Sequence, residues 1–141
     1  KYKIIKEQRR VTAAQTIPSL DAYRLEPNTM QTRFIMNLKD LRADGEKRGL
    51  LISATGTGKT YASAFAMREL GFKRVLFLVH RNQIATQAEH SYKNVFGSSV
   101  TTGVVGGGSY GFDADLVFAT MQTMCKDENL SRLREELAGH L

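Results

Sequence analysis

The sequence predicts an α/β domain built on a mainly parallel sheet. Two continuous apolar runs, RVLFLV and ADLVFAT, are of the kind buried on both faces in such a sheet. Segments of helical period lie between and around them. A third short apolar run, GLLISA, leads through a pair of glycines directly into a helical pattern. Strand and helix alternating along a chain is the signature of this class.

Taken in order, residues 1–24 show no clean period and read as a linker or the tail of a preceding domain. From Leu25 the pattern sharpens, and residues 25–141 read as one unit. Asn28 or Thr29 can cap a helix on which Met30, Phe34, Leu38 and Leu41 recur, and Gly45 can end it. GLLISA is the first expected strand. TYASAFAMREL is a helix with Ala62, Phe65, Ala66 and Leu70 on one side, stopped by Gly71. RVLFLV is the second strand, and NQIATQAEHSYKNVF a helix capped by Asn82. SVTTGVVGGGSYGF is a weak strand running into a glycine-rich loop. ADLVFAT is a further strand, and DENLSRLREELAGHL a closing helix that carries Leu130, Leu133 and Leu137.

The 141 residues suffice for one domain with a real core. No run approaches the ~18 apolar residues of a membrane span, and the N-terminus lacks a signal-peptide pattern. Cys125 is the single cysteine, which excludes an internal disulfide, fits a reducing compartment such as the cytoplasm, and reads as a partly buried thiol. The net charge of +6 sits almost wholly in residues 1–48, at +5, against +1 for residues 49–141. A solvated basic linker accounts for that excess better than a binding patch does.

Residues 53–60, S-A-T-G-T-G-K-T, hold the chemistry. A nucleotide phosphate needs several backbone N–H groups aimed at one point, and side chains at Gly56 and Gly58 would block that approach or forbid the φ angles it requires. A helix starting near Lys59 adds its positive end. Lys59 can reach the β- and γ-phosphates, and the Thr60 hydroxyl can ligate Mg²⁺. Ser53, Ala54, Thr55 and Thr57 complete the loop. Ser53 stands where the strict pattern G-x-x-x-x-G-K-[ST] has its first glycine. A glycine-rich strand–helix turn with an incidental lysine is the competing reading, and the flanking strand and helix argue against it.

ATGTGKT, followed by VLFLVHRNQIATQA and LVFATMQTM, resembles motifs I, Ia and Ib of superfamily 2 helicases, over about residues 25–125. The likeness is closest to the DEAD/DEAH-box branch of restriction-enzyme translocase subunits (type I and III R subunits, ResIII-like) and the excision-repair helicase subunit. The resemblance implies the N-terminal part of a first RecA-like motor domain, a three-layer α/β/α P-loop NTPase fold, here an incomplete fragment. It implies ATP and Mg²⁺ as cofactors and Gln31 as the residue that reads the adenine edge; a solvent-facing helix glutamine is the alternative. Tyr23 is either a stacking partner for the adenine or an ordinary linker tyrosine. Arg81 and Asn82 would hold a nucleic-acid phosphate, unless Arg81 pairs with a local carboxylate. Gln87 ends motif Ia. Thr120 would donate to the DNA backbone or cap a helix. Gly106, Gly107 and Gly108 would offer backbone donors to the tracking strand or form a loose surface loop.

Hydrolysis in this family also needs D-E-x-H carboxylates and an arginine from a second motor domain. Asp127-Glu128 follows TMCK rather than a strand, and Asp113 and Asp115 precede one, so they read as loop and capping residues. In the relatives the missing strand lies inside the sheet, and a gap there would expose the core. The expected parent is an ATP-dependent DNA helicase or translocase, partnered by its remaining motor domain and a nuclease or specificity domain, with this piece inactive alone. RNA is the alternative substrate. A kinase or GTPase, or a nucleotide-responsive binding module without turnover, are the alternative functions; no N-K-x-D segment supports a GTPase.

Overall fold

The computed structural model describes residues 25–139, so the reading of residues 1–24, Tyr23 included, lies outside the described residues. Helix α1, Thr29–Ala43, starts at Asn28, whose side chain accepts the Gln31 amide at 2.9 Å while the Gln31 side chain accepts the Asn28 amide at 2.9 Å. This reciprocal box satisfies two of the amides that a helix start leaves free. Gly45, at φ +84°, turns the chain out of the helix. There the Gly45 and Glu46 amides return to Arg42 and Leu41. The buried positions are Gln31 and Ile35, with Phe34 and Leu38 half-buried, whereas Leu41 is exposed.

Helix α2, Lys59–Glu69, buries Ala62, Ala64, Phe65 and Ala66 and ends the same way at Gly71. Strand β1, Val75–Val79, leads to helix α3, Asn82–Phe96. Strand β2, Thr102–Gly106, turns back into β3, Ser109–Tyr110. The glycine-rich segment is therefore a hairpin with Gly107 and Gly108 as its two-residue turn, both at positive φ, in place of the open loop the sequence suggested. Strand β4, Leu116–Thr120, is followed by the short helix α4, Met121–Met124, and by α5, Asp127–Ala138.

The sheet order is β1-β4-β2-β3, parallel except for the hairpin. Helices α1, α2 and α3 belong to one core with Leu116 and Phe118, while α4 and α5 cover Val117 and Ala119 on the other face, giving three layers. All five residues of β4 are buried. Tyr92 of α3 is the hub of the larger core, edge-on to Phe118 at 5.2 Å and to Phe77 at 5.6 Å. Of the three leucines expected to anchor α5, only Leu133 packs against the core; Leu130 and Leu137 are exposed, because the helix meets the sheet along a narrow stripe. Cys125 is exposed as well, since it caps the end of a single helical turn at the surface.

GLLISA does not form a strand. Leu50 and Ile52 are 83% and 87% exposed, and residues 49–53 join no sheet. A strand persists only where a neighbour takes its N–H and C=O groups. The outer edge of β1 has no partner among the described residues, and Leu76 and Leu78 are partly exposed along it.

Candidate functional site

The loop between Ser53 and Lys59 is wound tightly on itself. Gly56 and Gly58 take φ of +77° and +80°, the left-handed region that a side chain resists. Gly58 is the N-cap of α2, its carbonyl accepting the Ala62 amide at 2.8 Å, so the first turn of α2 opens onto the loop. The Lys59 ammonium donates to the carbonyls of Ser53 at 3.1 Å and Ala54 at 2.6 Å. Thr57 donates its hydroxyl proton to the Ala54 carbonyl at 2.8 Å, so the 2.6 Å contact between Ser53 Oγ and Thr57 Oγ1 has Ser53 as donor. Thr55 lies exposed at the tip. Thr60 follows on the first turn of α2, half-buried, with its carbonyl taken by the Ser63 hydroxyl at 2.7 Å.

Gln31 is 5% exposed, so it is not the solvent-facing glutamine of the alternative reading. Its Nε2 donates to the Gly58 carbonyl at 3.3 Å and ties α1 to the loop. Beside the loop, a cleft of about 390 Å³ opens between α2 and α3, lined by Gly58, Lys59, Thr60, Ile84, Gln87 and Ser91 among others. Gln87 thus stands with the loop, apart from the other expected nucleic-acid residues. A hollow of about 470 Å³ between α1 and α2, against Leu38, Leu41, Met67 and Phe72, does not reach the loop.

Those other residues do come together. The parallel register sets Val79 of β1 opposite Thr120 of β4, and Val105 of β2 opposite Ala119, so three strands end side by side. Arg81 follows β1 as the N-cap of α3; Asn82 is the first helical residue, a correction of the expected cap that follows from the extended backbone of Arg81. Arg81 is exposed and makes no ion pair among the described residues. The Asn82 carboxamide sits against the hairpin. A methyl group on Gly106 would lie 3.0 Å from Asn82 Oδ1, and one on Gly107 would lie 3.0 Å from its Nδ2.

Thr120 caps α4: its Oγ1 accepts the Thr123 amide at 3.3 Å and lies 2.8 Å from Thr123 Oγ1. Sequence reasoning missed Thr123 and the buried Asn129, which donates to the Thr123 carbonyl at 2.7 Å. The Thr-x-x-Thr spacing at a strand end was the available signal for the first. Asp115 accepts from the Thr101 amide and hydroxyl at 2.9 and 2.8 Å, the local role expected of it. Asp127 and Glu128 lie in the first turn of α5.

With this geometry in hand, the comparison with known proteins is decisive: residues 24–139 match the family described as type III restriction enzyme, res subunit. The chain belongs to that family. Over 80 residues it is 35% identical to the type I restriction enzyme EcoAI endonuclease subunit of Escherichia coli, covering 53% of this chain and 10% of that protein. Over 71 residues it is 32% identical to UvrABC system protein B of Staphylococcus epidermidis and 35% identical to that of Streptococcus gordonii, each covering 50% of this chain and 11% of the relative. The chain thus spans about a tenth of the length of the curated relatives it matches. The α/β architecture with its mainly parallel sheet and glycine loop agrees with a RecA-like P-loop fragment.

Two groups on α3 have displaced pKa values, at its contacts with the start of β2 and with α2. Burial pushes the Glu89 carboxyl up, but hydrogen bonds from Lys93 at 2.9 Å and Thr102 at 2.7 Å, with the charge of Lys93, outweigh it and hold the group below its ordinary value. Burial pushes the Tyr92 hydroxyl above its ordinary value, against its hydrogen bond to Ser63 at 3.0 Å. Glu89 fastens α3 to β2, and Tyr92 fastens α3 to α2. No helix among the described residues is long and apolar enough to cross a membrane.

Proposed function

We propose that this chain is the nucleotide-binding front part of an ATP-dependent DNA helicase or translocase motor. One observation carries the reading: Gly56 and Gly58 hold a left-handed loop at the start of α2, with Lys59 and Thr60 on its first turn, in a member of the type III restriction enzyme res subunit family. Ser53 to Gly58 would surround the phosphates of ATP, Lys59 would hold the β- and γ-phosphates, and Thr60 would ligate Mg²⁺. Mg²⁺ supplies charge neutralisation across the phosphate oxygens when bound. Gln31 sets the loop from behind and reads the adenine.

The nucleic-acid backbone runs over the joined ends of β1, β4 and β2. Arg81, Asn82, Gly106, Gly107 and Thr120 hold its phosphates there, whatever the base sequence. Arg81, exposed and without an ion pair among the described residues, supports this, and the hydroxyl of Thr120, already shared with Thr123, contributes least. Residues 1–24 form a linker and 25–141 the front of motor domain one; the remaining motor domain and a nuclease or specificity domain complete a cytoplasmic protein. A nucleotide-responsive module without turnover is the second reading, favoured by the acidic residues: Asp127 and Glu128 start a helix, and Asp115 is engaged with Thr101. Single-turnover ATP cleavage by the full-length protein, with and without single-stranded DNA, separates the two. DNA-stimulated cleavage that Lys59→Ala abolishes supports the motor, and nucleotide binding without cleavage supports the module.

A further inference from the structure

We infer that Gln87 belongs to the nucleotide site, where its carboxamide contacts the terminal phosphate of a bound Mg-nucleoside triphosphate, and that α3 thereby links the nucleotide to the nucleic-acid face. The inference rests on the phosphate-loop reading above and reassigns a residue whose motif pointed to nucleic acid. Gln87 lines the same cleft as Lys59 and Thr60, together with Ile84 and Ser91, which stand three positions before it and four after it on one face of α3. Its side chain is exposed and makes no hydrogen bond among the described residues; only its main-chain carbonyl is used, by the Ser91 hydroxyl at 3.1 Å.

Asn82, five residues earlier, points elsewhere. Five residues rotate an α-helix by roughly 140° beyond a full turn. That rotation is what sets the Asn82 carboxamide against Gly106 and Gly107 while Gln87 faces the phosphate loop. One rigid helix therefore has its first turn at the strand-end cluster and its second turn at the loop. A neutral carboxamide suits the second place: its N–H₂ donates to an anionic oxygen without adding charge beside Lys59. Differential contact with the triphosphate and the diphosphate at Gln87 gives α3 a means to report the nucleotide state to Arg81 and Asn82.

The test uses the full-length protein with Gln87→Ala and Gln87→Glu, beside Lys59→Ala and Arg81→Ala. Calorimetry measures binding of a non-hydrolysable Mg-ATP analogue and of Mg-ADP, and anisotropy measures single-stranded DNA binding without nucleotide. The exposed position of Gln87 leaves the fold intact, which thermal melting checks. Gln87→Ala is expected to weaken the triphosphate analogue about tenfold while moving Mg-ADP and nucleotide-free DNA binding by less than about twofold. Gln87→Glu is expected to weaken the analogue further by placing a carboxylate against it, and Arg81→Ala to show the converse pattern. The inference is overturned if Gln87→Ala weakens nucleotide-free DNA binding as Arg81→Ala does, or leaves the analogue unchanged while Lys59→Ala loses it. If the unaltered protein takes up no Mg-nucleotide, the phosphate-loop reading itself fails and takes this inference with it.

Discussion

The carboxamide of Gln31 joins two elements: Oε1 accepts the Asn28 amide at 2.9 Å, and Nε2 donates to the Gly58 carbonyl at 3.3 Å. One buried side chain thus closes the first turn of α1 and fixes the residue from which α2 begins. A residue that the sequence offered as a base reader is a strut for the glycine loop.

The two halves of that carboxamide are separable. Gln31→Ala removes both bonds and is expected to cost about 1–2 kcal/mol of stability, read by chemical denaturation, because it loses half a capping box and leaves a cavity. Gln31→Glu keeps the acceptor for Asn28 and replaces the donor with a carboxylate facing a carbonyl. Its α1 helix content should stay near that of the parent while Mg-ATP affinity, by calorimetry, falls further than the stability loss alone explains.

Lys59 donates to two loop carbonyls, in hydrogen bonds exposed to solvent. Exposed hydrogen bonds of this kind contribute little net stability, so Lys59→Ala should move the unfolding free energy by less than about 1 kcal/mol. Under the proposed function the same change removes a charge-assisted contact to phosphate, worth roughly 1.5–3 kcal/mol, or about 10- to 150-fold in nucleotide affinity. Equal affinity in parent and variant would remove the phosphate role of the loop.

Gly103 and Gly111 are in backbone contact at the open end of the β2–β3 hairpin. A Cβ on Gly103 would collide with the Gly111 carbonyl oxygen and lie 2.9 Å from its Cα, with backbone rather than a flexible side chain in the way. Gly103→Ala is therefore expected to destabilise by about 1–3 kcal/mol and to splay the hairpin that carries Gly106 and Gly107. Loss of Tm together with weakened DNA binding checks it; an unchanged Tm would show that the strands shift freely.

Much of this arrangement was legible in local pattern. The run LVFAT has apolar side chains on both faces because β4 is covered by helices on both sides. Asn28, Gly45 and Gly71 mark helix ends because caps and left-handed residues act within a few positions. What the pattern does not encode is which partner an element meets. Gln31 is buried only because Gly58 comes to it from 27 residues away. Leu130 and Leu137 repeat at helical spacing yet face solvent. Asn82 and Gln87 share one motif, and only the rotation of α3 sends them to different places.

Glu89 supplies a pH signature. Its folded-state pKa lies below the ordinary value of 4.5, so the interaction it makes stabilises the protein above that value and is lost as pH falls through the lowered one. Glu89's contribution to the slope of stability against pH is therefore positive between its lowered pKa and 4.5. Thr102→Val removes one of the hydrogen bonds that lower the pKa and should flatten that slope, while Glu89→Gln should remove this residue's share entirely. Denaturant titrations at a series of pH values from neutral down through the carboxylate range check it, and parallel curves for parent and Glu89→Gln would refute the assignment.

The segment Leu50–Ser53 makes the largest departure between pattern and structure, and it carries its own test. Leu50 and Ile52 point apolar side chains into solvent, and Leu76 and Leu78 are partly exposed on β1, whose outer edge has no partner among the described residues. Fully burying one such side chain is worth about 1.5–3 kcal/mol, so Leu50 and Ile52, with the exposed parts of Leu76 and Leu78, mark a place where a neighbouring strand would be held strongly. In the chain as described, the amides of residues 50–53 have no sheet partner and should exchange with solvent at nearly unprotected rates. In the full-length protein, a strand seated between β1 and this segment would pair both edges and slow the exchange of these amides and of β1 by orders of magnitude. Leu50→Ser with Ile52→Ser should then cost little in the isolated chain and several kcal/mol in the full-length protein. Rapid exchange at residues 50–53 in both contexts would leave the apolar run without a structural role, and the glycine loop would hang from an unpaired tether.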